Sequence, residues 1–251
     1  MNIKTHFRAT PMRVAPILSS SHSRATTFKA SINKSKKRGL GILGGSFDPI
    51  HLGHTQSAQA VAKELALSEV LLIPAYISPL KTTPDLVPHA SAKQRAEMVE
   101  MACQSNELFS CDTQELSRAG HSYTVDTLKA LKESHPNHIL YFIIGMDSLI
   151  TFTQWQDYQQ ILTLCHLVVN TRPEHDLSQL DNHTKKLLSQ HQINDKEVLS
   201  TLDSGKIFFA DPVYYDISST QIRQRIAQQQ SCEKLLTPII TDYIKKNNLY
   251  R

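Results

Sequence analysis

An apolar run at residues 40–43 stops at Gly44 and Gly45, and a helical spacing of Ala58, Val61, Ala62 and Leu65 follows it. The run reads as a buried strand, and the recurrence at i, i+3, i+4 and i+7 reads as a helix with one apolar face. Strand, glycine loop and helix in that order commit this part of the chain to an α/β unit. The junction then gathers backbone N–H groups and the positive end of a helix dipole, and its glycines let an anion come close.

The junction itself is Gly44-Gly45-Ser46-Phe47-Asp48-Pro49-Ile50-His51-Leu52-Gly53-His54. Imidazoles at His51 and His54 can donate hydrogen bonds to phosphate oxygens, and either could carry a positive charge, because histidine titrates near neutral pH. Gly53 leaves the space between the two rings open. The stretch is therefore a candidate cradle for the phosphates of a nucleotide.

Further apolar runs lie at 70–73, 139–144, 167–169 and 207–210, with helical patterns at 92–103 and 125–132. The alternation predicts an α/β fold, a doubly wound parallel sheet with helices on both faces. In such sheets the ligand crevice lies beyond the carboxyl ends of the strands. The residues found there are Ser46, His51 and His54, then Ser78 and Lys81, then Asp147 and Ser148, then Thr171 and Arg172. Residues 174–205 are polar and charged and read as a surface excursion, and the chain closes on an amphipathic pattern that begins near Pro238.

Charge separates the chain into two parts. Of the 27 Lys and Arg, nine lie within residues 1–38, which hold no acid, leaving 18 against 23 Asp and Glu beyond, a net charge of −5. A basic stretch of this composition describes a targeting peptide, a disordered arm or a start codon placed upstream, and it is read as a dispensable extension to a domain spanning 39–251. The net-acidic body argues against a broad nucleic-acid surface. No apolar stretch approaches the roughly 20 residues that cross a bilayer, so no membrane partner is expected. Four cysteines without a CxxC pair fit a reducing, cytoplasmic setting, and Cys165 beside His166 reads as a small buried thiol rather than a metal ligand. No resident metal site is expected.

A second anion site is read at Ile217-Ser218-Ser219-Thr220-Gln221-Ile222-Arg223. Hydroxyl residues precede the helical spacing of Ile222 and Ile226, as in an N-cap, and Arg223 lies close enough to the same helix start to reach an anion there. Taken alone, Ser218, Ser219 and Thr220 could be no more than a cap.

The two motifs together, GSFDPIHLGH and ISSTQIR, resemble those of the HxGH-type nucleotidyltransferases, and specifically the bacterial nicotinate-nucleotide adenylyltransferase family. The resemblance spans 39–251 and extends through HSYTVDTL at 121–128, FIIGMDSL at 142–149, Trp155 and VVNTRP at 168–173. It implies a Rossmann-like fold of nucleotidyltransferase type and transfer of the adenylyl group of ATP to nicotinate mononucleotide, with Mg2+ accompanying ATP. His51, His54 and Arg223 would be the catalytic groups. Gly44, Gly45, Ser46, Phe47, Ser218, Ser219 and Thr220 would complete the ATP site.

For the pyridine substrate the resemblance implies Tyr123, Thr124, Asp147, Trp155, Lys81 and Arg172. Trp155 would stack on the ring, although a core anchor is the alternative, and Asp147 would bind sugar hydroxyls unless it is simply a helix cap. Two departures from the family pattern stand out. Ser78-Pro79-Leu80 precedes Lys81 where a histidine is common, and Glu174 follows Arg172-Pro173 where glycine is common. A sister enzyme with another acceptor, or a nucleotide sensor without turnover, remain the alternatives. Oligomeric state, including a homo-oligomer, is left open.

Overall fold

The computed structural model describes residues 37–77, 87–118, 120–171, 180–211 and 215–251. Seven strands form one sheet: β1 (Arg38–Gly45), β2 (Val70–Pro74), β3 (Phe109–Cys111), β4 (His138–Gly145), β5 (His166–Asn170), β6 (Gln192–Ile193) and β7 (Ile207–Ala210). Their order is β3-β2-β1-β4-β5-β7-β6, and every pair is parallel. The first strand starts at Arg38, one residue before the expected domain boundary, and Lys37 Nζ already bonds Asp203 Oδ1 at 2.8 Å.

Helices cover both faces, as the alternation of patterns predicts. On one face α1 (Leu52–Glu64), α2 (Ala92–Gln104), α8 (Ser219–Ala227) and α9 (Pro238–Lys246) bury Val61, Val99, Ile222 and Ile244 against Ile143 and Val168 of the sheet. On the other, α3 (Thr124–Ser134), α5 (Tyr158–Leu164) and α6 (Asn182–His191) bury Leu128, Ile161 and Leu187 against Leu40, Leu140 and Val169. Strands with apolar side chains on both faces account for the continuous apolar runs of the sequence.

The short helix α4 (Met146–Ile150) follows β4 directly, and α7 (Lys196–Leu199) lies between the two last strands. Chain order reverses between β1 and β4, which opens a crevice at their carboxyl ends.

Two expectations change. Residues 180–205 are more than a surface excursion: Leu180, Leu187, Leu188 and Leu199 are buried, and β6 forms the edge of the sheet. Polar residues outnumber these leucines locally, so their periodicity is weak although their burial is not. The edge strand β3 was not expected either, because only Phe109 of its three residues is buried. The C-terminal helix, by contrast, starts at Pro238 in its first turn, where a missing N–H is harmless. Cys165 is fully buried, and its thiol donates to the Ile161 carbonyl oxygen at 3.4 Å. Among the described residues no helix is long and apolar enough to cross a membrane.

Candidate active site

A cavity of about 490 Å³ opens where β1 and β4 end. Such a volume lies within the range of small-molecule sites. Its walls come from the loop after β1, the start of α1, the turn into α4, the end of β5 and the start of α8.

The loop after β1 is held from below. Phe47 takes a left-handed φ of 48° and buries its ring, which meets His54 edge-on at 5.1 Å between centroids. Arg95, on α2 and 1% exposed, donates from Nη1 to the carbonyl oxygens of Ser46 and Ala75, both at 2.6 Å, and from Nη2 to that of Tyr76 at 3.0 Å. A Ser91 N-cap starts α2 and fixes where this arginine stands: Ser91 Oγ accepts from the Gln94 N–H, while the Gln94 side chain accepts from the Ser91 N–H.

His51 precedes α1, and His54 lies in its first turn. Their rings stack, with centroids 3.6 Å apart and planes at 21°. The His51 backbone N–H donates to His54 Nδ1 at 3.3 Å, which assigns the proton of a neutral His54 ring to Nε2 and makes that atom a donor. Burial pushes the His51 imidazole down to about 4. It is therefore neutral at pH 7, which corrects the expectation that either histidine could carry the charge: only hydrogen bonding, not a cation, is available from His51. Its Nδ1 is buried and makes no hydrogen bond among the described residues.

Gly53 sets the spacing. A Cβ built there would lie 3.0 Å from His51 Nδ1, 3.1 Å from Cε1 and 3.3 Å from Ile217 Cβ. A side chain here would crowd both the His51 ring and the irregular segment leading to α8, each of which would have to give by a few tenths of an ångström.

The second motif meets the first directly. Ser219 Oγ donates to the Pro49 carbonyl oxygen at 3.0 Å, and Arg223 Nη1 donates to the Asp48 carbonyl oxygen at 2.8 Å. These two bonds join segments separated by 170 and 175 residues. Ser218 is the N-cap of α8 and accepts from the Gln221 N–H, and Thr220 Oγ1 accepts from Arg223 Nη2 at 3.2 Å. The cap reading is thus correct for Ser218, while Ser218, Ser219, Thr220 and Arg223 all line the cavity as well. The starts of α1 and α8 both border it, so two helix dipoles favour an anion inside.

The remaining expected residues divide. Gly45, Ser46, Phe47 and Asp147 line the cavity. Asp147 is exposed, and Gly145, not Asp147, is the N-cap of α4, so the simple-cap alternative is set aside. Gly44 is a sheet residue paired with Ile73 and does not line the cavity. Tyr123, Thr124 and Trp155 do not line it either; Tyr123 and Trp155 pack against the core of the opposite sheet face. Trp155 meets Phe152 and Phe142 at 5.5 and 6.2 Å and bonds Thr151 Oγ1 at 3.5 Å, an anchored ring that is half-buried. Lys81, Ser78 and Arg172 lie outside the described residues.

Three groups at the site were not expected. Asp48 is 4% exposed and accepts from the His89 and Ala90 N–H groups at 2.8 and 3.0 Å and from the Tyr250 hydroxyl at 2.9 Å. Arg95 holds the loop as described above. Asn170, at the end of β5, completes the wall beside Thr171, which was expected there. Asp48 stands inside the first motif, and an acid among glycine, proline and histidine was the available signal.

The cytidylyltransferase-like family model matches residues 42–225. A relative described as a probable nicotinate-nucleotide adenylyltransferase from Psychromonas ingrahamii is 40% identical over 216 residues, covering 86% of this chain and 99% of that one. This chain is a member of the nicotinate-nucleotide adenylyltransferase family. A Serratia proteamaculans relative of the same description is 40% identical over 211 residues, with 84% and 94% covered. Among solved structures, the Plasmodium falciparum nicotinic acid mononucleotide adenylyltransferase complexed with NaAD aligns with a TM-score of 0.64 at 20% identity, over 85% of this chain and 97% of that one. At that identity the likeness speaks for the family's fold.

Proposed function

We propose that the cavity binds ATP through its phosphates and that the protein transfers the adenylyl group to nicotinate mononucleotide, giving nicotinate adenine dinucleotide and pyrophosphate. The observation that carries this reading is the clasp of Ser219 on Pro49 and Arg223 on Asp48, which turns two anion-binding helix starts toward one cavity. Family membership at 40% identity over most of the chain supports the acceptor and the product.

A phosphate oxygen of the mononucleotide forms the new bond to the α-phosphorus of ATP, and the bond from that phosphorus to the bridging oxygen of the pyrophosphate breaks. The attacking oxygen is already anionic at neutral pH, so the protein supplies position and charge stabilisation rather than a base. His54 Nε2–H would donate to the developing charge, and neutral His51 would donate beside it. Arg223 would carry the positive charge that neutral His51 does not supply.

Magnesium fits the donor set as a companion of ATP. Among the described residues two carboxylates line the cavity; Asp48 is taken up by backbone and hydroxyl donors, and Asp147 is exposed. One open carboxylate suits an ion held chiefly by phosphates and water, where it would neutralise charge on the leaving pyrophosphate. Tyr123, Thr124, Trp155, Lys81 and Arg172 would bind the mononucleotide outside the cavity walls described above, with Arg172 approaching a phosphate. The four cysteines are free, which fits a reducing cytoplasmic setting. Residues 1–35 are a dispensable extension on this reading, whereas Lys37 and Arg38 belong with the sheet domain.

The test is incubation with ATP, magnesium and nicotinate mononucleotide, followed by detection of pyrophosphate and the dinucleotide. Formation of both in equal amounts is expected. Binding of ATP with no product from either nicotinate or nicotinamide mononucleotide would overturn the reading.

A further inference from the structure

The penultimate residue of the chain reaches into the site. Tyr250 donates its hydroxyl hydrogen to Asp48 Oδ1 at 2.9 Å across 202 residues of sequence. Ala90 N–H donates to the same oxygen at 3.0 Å, and His89 N–H donates to Oδ2 at 2.8 Å. Arg223 Nη1 lies 3.7 Å from Oδ2 and 2.8 Å from the Asp48 carbonyl oxygen. The Asp48 carboxylate is thus the hub between the end of the chain, the start of α2 and the arginine that faces the cavity.

Arg223 is shared. Its charge is drawn toward Asp48 on one side and is offered to an anion in the cavity on the other. Each hydrogen bond donated to Asp48 spreads the carboxylate's charge over a donor and weakens its hold on the guanidinium. Among the described residues Oδ1 has two donors, one of them Tyr250. Burial and the neighbouring Asp48 push the Tyr250 phenol up, so its hydroxyl keeps its proton and remains a donor.

We infer that Tyr250 is a positioning residue for the phosphates of ATP, acting through Asp48 to leave Arg223 oriented and available to them. The inference rests on the reading that Arg223 meets the phosphates. Losing one hydrogen bond to a buried carboxylate typically costs about a tenfold to hundredfold factor, and part of it falls on Arg223.

The experiment measures affinity for Mg-ATP without acceptor by calorimetry, and KM for each substrate, in the full chain. Tyr250→Phe keeps the ring and removes the hydroxyl. It is expected to weaken ATP about tenfold and raise its KM in proportion, with KM for the mononucleotide within twofold of the parent. Tyr243→Phe serves as the control: it lies in α9, loses its hydrogen bond to Glu97 on α2, and is expected to leave ATP affinity unchanged. In an Arg223→Ala background Tyr250→Phe is expected to add nothing.

Unchanged affinity in Tyr250→Phe, an equal loss in Tyr243→Phe, or a full tenfold further loss in the double variant would each overturn the assignment. So would a Tyr250→Phe chain that fails to fold at any temperature, since the residue would then be purely structural. If ATP binds with this pattern but no dinucleotide forms, the activity proposal fails while the role of Tyr250 stands.

Discussion

Replacing Gly53 with alanine puts the geometry of the clasp to a quantitative test. The added Cβ would stand 3.0 Å from His51 Nδ1 and 3.3 Å from Ile217 Cβ, so each neighbour must give by a few tenths of an ångström. Both neighbours belong to the anion site: one is the buried histidine, and the other is joined to the Ser218 cap of α8. The two loops are therefore pushed apart from the inside.

A misplacement of 1 Å at a reacting centre costs on the order of 10²-fold, so a shift of a few tenths is expected to lower kcat/KM about tenfold. Stability should fall by no more than about 2 kcal/mol. Alanine is favoured over glycine in a helix by about 1 kcal/mol, which offsets part of a crowding cost of about 1–3 kcal/mol. The assay is steady-state pyrophosphate release alongside a thermal melt. A variant within twofold of the parent in kcat/KM would refute the reasoning, because it would mean that the His51 spacing does not control the chemistry.

Further outcomes follow from the same geometry. His54→Ala should keep its circular dichroism spectrum and lose at least about 10²-fold in turnover, whereas near-normal turnover would remove His54 from the mechanism. Because the His51 pKa is lowered from 6.5 to about 4 on folding, the unfolded chain binds more protons between those values. Stability is therefore complete above pH 6.5 and falls by about 3 kcal/mol as the pH drops to 4. Urea unfolding of His51→Gln should show a correspondingly shallower acid loss, and an unchanged slope would contradict the burial argument. Arg95→Met strands three carbonyl oxygens and should cost about 3 kcal/mol or more by urea unfolding; a loss under about 1 kcal/mol would show that water replaces the guanidinium. Deleting residues 1–35 should leave kcat/KM within twofold, and a larger loss would assign that segment a role in catalysis.

How much of this was legible in the sequence depends on range. The strands at 40–43, 70–73 and 139–144 are buried on both faces and announce themselves as continuous apolar runs. The edge strands β3 and β6 have one buried face or less and too few residues to show a period. His51, His54, Ser219 and Arg223 were readable because each sits beside a helix start whose chemistry is local. Asp48, Arg95 and Tyr250 were not read as functional, since their partners lie 19 to 202 residues away and only the fold unites them. The neutral state of His51 was hidden for a related reason: residue type states what can titrate, whereas burial decides where. Trp155 was visible as an unusual residue, but its packing on Phe142 and Phe152 depends on a sheet face that spacing alone does not assign.

The most direct test of the central claim is a crystal structure of the protein with a non-hydrolysable ATP analogue and magnesium. One triphosphate should span the cavity, with its α-phosphate against His51 and His54 and its outer phosphates against the start of α8 and Arg223. Phosphates bound by only one of the two loops, or in another cavity, would contradict the account.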